Sequence, residues 1–191
     1  MNDLPAAPPP RPPDYPAELE RTWHTADGTA VTLRPLRPDD LEREIAFVEG
    51  LSDETLRLRL QYSASSVSRE DAARMLDLDY HDRLAIGAFV PGRSGEELIG
   101  VSRYARLEDG DQAEFAIVVT DAWQGRGLGT ELMRSLGLGA RKNGLEALVG
   151  DSLAENKRIL DWARRFGFEA HTEPDTGGML RVTIDLASLV P

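Results

Sequence analysis

The sequence predicts a mixed α/β sandwich built around one central sheet, and three features of the chain lead to this prediction. Three apolar segments separated by turn residues, over about 84–119, are typical of an antiparallel meander. A glycine-rich turn then leads into a helix and a further strand, which predicts a strand, helix, strand crossover. Helical patterns fill most of the stretch before the meander. The 191 residues are enough for one domain with a sizeable core.

Turn and capping residues predict a hairpin followed by three helices in the first half. Asp27-Gly28, between short segments that contain Trp23 and Val31, predicts the hairpin. Three helices are expected, over about 41–49, 52–60 and 68–78. The first of them is expected to have Asp39 or Asp40 as its cap, Gly50 as its end, and Leu41, Ile45 and Val48 as its apolar face.

The second half is expected to alternate strands with turns and then to cross over. Strands are predicted over about 84–90, 98–104, 112–119, 147–150 and 179–184, and helices over about 128–142 and 155–165. Asn143-Gly144 and Gly167 end the two helices. No internal repeat interrupts this order.

The first 20 residues differ in composition from the rest of the chain. Almost no aliphatic residues accompany the prolines there, which are Pro5, Pro8, Pro9, Pro10, Pro12, Pro13 and Pro16. Such a composition favours extended polyproline conformations over a packed core. We expect residues 1–20 to form a disordered or surface-draped tail and residues 21–191 to form a single domain. Docking to a proline-recognising partner is an alternative role for the tail.

Composition and charge exclude several classes of function. The formal net charge of −11 opposes binding to nucleic acid or to an anionic membrane and is compatible with a cationic substrate. No apolar stretch is long enough to span a bilayer, and the first residues lack a secretory signal, so a cytoplasmic location is expected. The sequence contains no cysteine, which excludes disulfides and an acyl-cysteine intermediate. No metal site is expected, because the three histidines have no ligand spacing.

The glycine-rich turn is the strongest chemical signal. Gly125, Gly127 and Gly129 have no side chains that would block close approach, so backbone N–H groups and the positive helix end can face an anion. Arg126 adds a charged donor. Thr130 stands where the third glycine of a dinucleotide-binding G-x-G-x-x-G turn would be, which argues against a nucleotide-dependent oxidoreductase. The sequence therefore predicts an anion cradle of another spacing.

The same turn is one of three segments that match a known family. The segment 124–129, Gln-Gly-Arg-Gly-Leu-Gly, fits the pattern Q/R-x-x-G-x-G/A, and the segments 33–40 and 156–168 follow the family in the same order. Over about 31–168 the chain resembles the GNAT acetyltransferase superfamily. The stretches 51–56, 79–80 and 123–129 also resemble the acetyltransferase domain of bacterial protein-lysine acetyltransferases that modify acyl-CoA synthetases.

This resemblance implies a mostly antiparallel central sheet with helices on both faces, and acetyl-CoA as co-substrate. The implied activity is transfer of an acetyl group to a primary amine by direct attack in a ternary complex. The acceptor is expected to be a protein lysine, such as one on an acyl-CoA synthetase, ahead of a small amine. The resemblance assigns cofactor binding to Val118, Val119, Gln124, Gly125, Arg126, Gly127, Leu128, Gly129 and Thr130. Asn156 also matches a cofactor position, and a helix N-cap is an equal alternative for it.

The implied reaction needs a base for the amine proton and a donor for the developing oxyanion. A lysine amine has a pKa of ~10.4, so a nearby base must compete for its proton. Glu114 is the predicted base, on the strand that should open beside the thioester; a solvated carboxylate is the alternative. The backbone N–H of Val118 or Val119 is the predicted oxyanion donor. Ala163 replaces a tyrosine found in many family members, so no side-chain acid is predicted for the leaving thiolate.

Four questions stay open at the level of sequence. The missing tyrosine makes a non-catalytic acyl-CoA-binding sensor or interaction module the second hypothesis. Arg103 is expected either to line the acceptor groove or to pair with a neighbouring carboxylate. The resemblance implies that about 41–82 select the acceptor, but no pattern there identifies it, and no pattern indicates the oligomeric state.

Overall fold

The architecture was obtained from a computed structural model that describes residues 10–60, 68–93, 95–153, 156, 159, 169–172 and 179–188. Within these ranges the helices are α1 Leu41–Glu49, α2 Asp53–Leu60, α3 Arg69–Met75 and α4 Leu128–Lys142. The strands are β1 Arg21–His24, β2 Ala30–Pro35, β3 Arg83–Gly92, β4 Gly95–Arg106, β5 Gln112–Val119, β6 Ala147–Leu153, β7 Glu169–Thr172 and β8 Met179–Asp185. In the described part of the chain, no helix is both long and apolar enough to cross a membrane.

The described strands form one sheet in the order β1-β2-β3-β4-β5-β6-β8-β7. Neighbouring strands are antiparallel except β5 and β6, which are parallel because α4 connects them as a crossover. The predicted hairpin, meander and crossover are therefore confirmed, and the sheet is mostly antiparallel as expected.

Helices cover both faces of the sheet, as the resemblance implied. Leu128, Leu132 and Leu136 of α4 belong to one apolar cluster, which also contains Phe115 of β5. A second cluster holds Phe47 of α1 and further side chains from the other face of the sheet. Successive residues of a strand point to opposite faces, so β5 contributes to both clusters.

The strands β5 and β6 pair over a short distance and then separate. Their register ends at the pair Glu114 and Val149, whereas β5 stays paired with β4 as far as Val119. β6 continues beside β8 to Leu153. Phe115 packs where the two strands part, since a Cβ on Gly150 would lie 2.7 Å from its ring. An open cleft therefore follows Glu114 between two strands of the same sheet.

Three predictions about the elements need correction. The helix α3 ends at Met75, because Leu76 leaves the helical region, whereas the capping pattern predicted an end near residue 78. Leu41 and Val48 of the predicted apolar face of α1 do pack against the core, but Ile45 is only partly buried and the fully buried side chains are Glu44 and Phe47.

Asp40 precedes α1 but does not cap it with its side chain. Its carboxylate instead accepts hydrogen bonds from Arg34 and from the backbone N–H of Arg37. The strand β7 was not predicted, and the predicted helix over about 155–165 lies mostly outside the described residues.

The segment from residue 10 to residue 20 lies on the surface of the domain. Tyr15 meets Tyr80 edge to face with ring centroids 5.5 Å apart, and Leu19 packs against the core. Residues Ala17–Leu19 form a turn of 3-10 helix. This part of the predicted tail is therefore draped over the domain rather than disordered, because aromatic and aliphatic side chains anchor it. Residues 1–9 lie outside the described ranges.

Candidate active site

The glycine-rich turn has the backbone geometry that the sequence predicted. Gly125 and Gly127 have φ values of 74° and 89°, in the region that favours glycine. Gly127 is the N-cap of α4 and provides no side chain to the first turn of the helix. The N–H groups of Thr130 and Glu131 return to the carbonyl of Gly127. The first N–H groups of α4 therefore face the turn, where they suit an anionic ligand.

The space beside the turn is open, and one arginine lies next to it. A Cβ on Gly125 would have no neighbour within 4 Å, and a Cβ on Gly127 would lie 3.7 Å from the ring of Trp23. Arg126 is exposed, with Nη1 3.6 Å from Asp27 Oδ2 and its guanidinium carbon 5.1 Å from the centre of the Trp123 ring. A pyrophosphate group fits this combination of free backbone, helix N-terminus and arginine.

The side chain of Gln124 connects the turn to the strand before it. Its Nε2 donates to the carbonyl of Val119 over 2.9 Å and lies 3.4 Å from Thr55 Oγ1. Gln124 therefore fixes the path of the chain after β5, in addition to the cofactor role that the resemblance assigns to it.

Asp121 joins the turn to helix α2. Thr55 in the first turn of α2 donates its hydroxyl proton to Asp121 Oδ1 over 2.9 Å, and the N–H of Ser52 lies 3.4 Å from Oδ2. Burial acts to raise the pKa of Asp121, but the hydrogen bonds from Thr55 and Ser52 outweigh it and hold the pKa below its usual range.

The backbone of β5 presents alternate N–H groups to the cleft. The N–H of Thr120 donates to the carbonyl of Ile99 over 3.0 Å, and these two residues continue the β4–β5 register. Hydrogen-bonded pairs alternate along an antiparallel ladder, so the backbone of Val118 is hydrogen-bonded to Val101. The backbone N–H groups of Ile117 and Val119 therefore point to the cleft. The prediction for Val118 as an oxyanion donor is therefore corrected, because its N–H is used within the sheet.

Glu114 lies at the apex of the cleft. It forms the last register pair with β6, and its side chain is exposed. Among the described residues no salt bridge or side-chain hydrogen bond engages its carboxylate. The side chain shares a face of β5 with Ala116 and Val118, the face covered by α1, α2 and α3. Its carboxylate is thus available to a group that approaches from the helical side.

A pocket lies on that same face, between the three early helices and strands β4 and β5. Its walls are largely apolar, with Phe47 and Val48 from α1, Leu56 from α2, Met75 from α3, and Ala116 and Val118 from β5. Glu44 and Arg103 also line it, and their side chains form an ion pair. The expected pairing of Arg103 with a carboxylate is confirmed, and its side chain also lines this pocket, while a place in an acceptor groove stays a prediction.

Asn156 has the geometry of a helix cap. Its Oδ1 accepts a hydrogen bond from the N–H of Ile159 over 3.3 Å. A cofactor contact for Asn156 stays a prediction, and Ala163 lies outside the described residues.

Sequence reasoning missed three features of this region. In the sequence Glu44 looks like a solvated charge on a helix, yet it is buried. The local signal for its burial is its spacing of three residues from Phe47, which places the two on one helix face. The contact of Trp23 with the turn and the hydrogen bond from Thr55 to Asp121 join segments that are far apart in sequence.

Comparisons with known proteins agree with this geometry. Residues 30–169 match the family described as the acetyltransferase (GNAT) domain. An acetyltransferase of Pseudomonas aeruginosa is 34% identical over 149 residues, which is 78% of this chain and 80% of that protein. Acetyltransferase Pat of Mycolicibacterium smegmatis is 32% identical over 68% of this chain, and the chain spans 39% of the length of that relative.

A solved structure has the same fold over almost its whole length. The crystal structure of the GNAT domain of S. lividans PAT superimposes with a TM-score of 0.82 at 29% identity, covering 90% of this chain and 99% of that domain. The family match extends over more than half of the chain, from β2 through the glycine turn to the start of β7. The chain therefore belongs to the GNAT family of acetyltransferases, and it is an acyltransferase.

Proposed function

We propose that this protein acetylates the ε-amino group of a lysine in another protein, with both substrates bound in one ternary complex. Acetyl-CoA is the donor of the acetyl group. The observation that carries the proposal is the parting of β5 and β6 at Glu114, which leaves a carboxylate at the apex of a cleft leading from the glycine turn. The resemblance to protein-lysine acetyltransferases supports a protein acceptor.

The donor is expected to lie along the open edge of β5. The pyrophosphate would rest on the N–H groups between Gly125 and Gly129, with Arg126 beside it. From Val119 back to Phe115 the strand spans about 13 Å at roughly 3.3 Å per residue, which brings a chain running along this edge close to Glu114. The backbone groups of Ile117 and Val119 face this path, and the thioester would lie at its Glu114 end.

Glu114 acts as the general base in this proposal, directly or through one water. It takes a proton from the amine while the nitrogen forms a bond to the thioester carbonyl carbon. The N–H of Ile117 or Val119 donates to the carbonyl oxygen as negative charge develops there. The carbon–sulfur bond then breaks, and the electron pair leaves with the thiolate of CoA. No side chain of this protein is assigned to protonate that thiolate.

The experiment is a measurement of CoA release that requires both substrates, with a purified acyl-CoA synthetase as acceptor and mass spectrometry of the acetylated lysine. Glu114→Gln should lower kcat about 100- to 10,000-fold, the usual contribution of general-base catalysis, while the acetyl-CoA dissociation constant changes little. Glu108→Gln is the matched control, because Glu108 is also exposed and lies in the turn before β5.

An enzyme that acts on proteins, an enzyme that acts on small amines and a non-catalytic sensor give different results in this assay. Equal turnover by Glu114→Gln would contradict the base assignment. Turnover with small amines but with no protein would restrict the acceptor to small molecules. Tight acetyl-CoA binding by the wild type without turnover on any amine would favour a non-catalytic sensor.

A further inference from the structure

The pocket beneath α1, α2 and α3 contains a buried carboxylate with one unused oxygen. The side chain of Glu44 is 2% exposed, and its Oε1 accepts a hydrogen bond from Arg103 Nη2. Among the described residues, Arg37 Nε and Glu44 Oε2 are the buried side-chain polar atoms with no hydrogen-bond partner. Of these two, Glu44 belongs to the pocket lining. Leaving a charged oxygen unpaired away from water is unfavourable.

The unused oxygen is covered within the pocket wall, and its chemistry defines what a ligand must bring to it. Arg103 Nη2 donates a hydrogen bond to Glu44. Its Nη1 donates a second one, of 3.1 Å, to the carbonyl of Met75. Glu44 Oε2 is therefore a negatively charged hydrogen-bond acceptor without a donor, and the walls around it are apolar. A ligand that satisfies it brings a donor, ideally a cation, on an aliphatic arm. An alkylammonium group has both properties.

The pocket lies directly beside the proposed base. Arg103 is the register partner of Ala116, and Ala105 is the register partner of Glu114 on the same two strands. Side chains two residues apart on one strand face are about 7 Å from each other. Ala116 thus connects the pocket that contains Glu44 to the apex of the cleft, on the face that Glu114 shares.

We propose that Glu44 is a specificity-determining residue that receives the protonated amine of the acceptor through Oε2. The pocket then selects an unbranched alkylammonium group, such as a lysine side chain, over neutral or anionic acceptors. Glu114 removes the proton once the amine has moved to the cleft. This inference rests on the proposed function, because it assigns the acceptor side of the same site. In the alternative, the Glu44–Arg103 pair only ties α1 to β4.

The test compares two probes of equal length that differ in charge. Binding of n-pentylammonium and of 1-pentanol is measured by NMR titration in the presence of saturating CoA at constant ionic strength. The wild type should bind the ammonium about 10- to 100-fold more tightly, the range expected for hydrogen bonds to charged groups. Glu44→Gln should abolish this preference, because the amide can keep its oxygen on Arg103 and then turns an NH2 group to the pocket. Glu42→Gln should retain it, since Glu42 lies in α1 but is exposed and paired with Arg69.

Equal affinity of the wild type for the two probes, or a preference that survives in Glu44→Gln, would overturn the proposal. The wild-type comparison needs no substitution, so it remains decisive even if the variant fails to fold. Neither titration needs turnover, so a failed base assignment for Glu114 leaves the result intact. In the kinetic assay the two roles also separate, because Glu44→Gln raises the acceptor KM about tenfold or more whereas Glu114→Gln lowers kcat.

Discussion

Thr55 and Asp121 form a hydrogen bond of 2.9 Å that joins the first turn of α2 to the segment between β5 and the glycine turn. Helix α2 is thereby fixed to the part of the chain that leads into the glycine turn. Gln124 reinforces this connection, since its Nε2 bonds the carbonyl of Val119 and lies close to Thr55. The position of helix α2 and the affinity for acetyl-CoA are therefore expected to depend on each other.

Loss of this connection should weaken donor binding. Asp121→Ala removes the acceptor of the Thr55 hydroxyl, and the turn loses one constraint on its position. We expect the acetyl-CoA dissociation constant to rise about 2- to 10-fold, the amount that one net hydrogen bond contributes. Isothermal titration calorimetry measures it. Asp109→Ala, in the exposed turn before β5, is the control and should bind normally. Identical affinities for the two variants would show that Asp121 does not position the cradle.

Bulk at the glycine turn should prevent donor binding. Gly127→Trp places a large ring where the backbone N–H groups are expected to approach the pyrophosphate, so acetyl-CoA affinity should fall by about tenfold for each charge-assisted hydrogen bond lost. Gly110→Trp is a close control, because Gly110 has the same φ of 89° in an open turn. Both variants carry a similar backbone penalty of about 1–2 kcal/mol. Normal binding by Gly127→Trp would place the donor elsewhere.

Asp27 should oppose donor binding rather than assist it. Hydrogen bonds from Thr25 and Thr29 lower the pKa of Asp27 to about 2, so the carboxylate is ionised at neutral pH. It lies 3.6 Å from Arg126, which would otherwise serve the anionic donor alone. Asp27→Asn should therefore tighten acetyl-CoA binding about 2- to 5-fold at low salt, as for a surface ion pair. The gain should shrink near 1 M salt, where charges are screened beyond about 3 Å. Weaker binding by the variant would show that Asp27 supports the turn.

The buried pair of Arg34 and Asp40 should dominate the acid sensitivity of the fold. Arg34 donates two hydrogen bonds of 2.8 and 2.7 Å to Asp40, which is fully buried. Burial acts to raise the pKa of Asp40, but the hydrogen bonds and charge of Arg34 outweigh it and lower the pKa. The pair therefore contributes its full stability above a pH of about 4, the unfolded pKa, and this contribution is lost as the pH falls toward the lower folded pKa.

Urea unfolding of Asp40→Asn measures the contribution of this pair. At pH 7 the free energy of unfolding should fall by about 3 kcal/mol, the lower end of the range for breaking a buried pair, because Arg34 loses its buried partner and retains the ion pair with the exposed Glu96. The difference from wild type should narrow at low pH, where Asp40 is protonated in both unfolded and folded chains. Asp39→Asn is the control, since Asp39 is partly exposed at the surface. A difference that is constant from pH 7 to pH 2 would contradict the assigned pKa.

The sequence predicted those features that local chemistry determines. Glycines and capping residues mark the start and end of α4, and apolar strands with turn residues between them mark the meander, so both were predictable. The path from Gln124 to Gly129 followed from the same glycines. A strand of four residues such as β7 depends on pairing with β8 rather than on its own pattern, and it was missed.

Features that depend on distant partners were not predictable in the same way. The burial of Glu44 requires Arg103, which lies 59 residues away in sequence, and the pairing of Asp40 with Arg34 overrides the local signal for a helix cap. The direction of the N–H groups of β5 depends on its register with β4, which decides between Val118 and its neighbours. These relationships are properties of the assembled sheet and helices.

In the proposed reaction the cleft between β5 and β6 holds the thioester beside Glu114. A crystal structure of the protein with a non-hydrolysable acetyl-CoA analogue shows where the thioester lies. We predict that the pyrophosphate lies on the N–H groups of the glycine turn and that the carbonyl group of the analogue lies between Glu114 and the N–H of Ile117 or Val119. An analogue bound outside this cleft, or with its carbonyl distant from Glu114, would rule out Glu114 as the base and the cleft as the donor site.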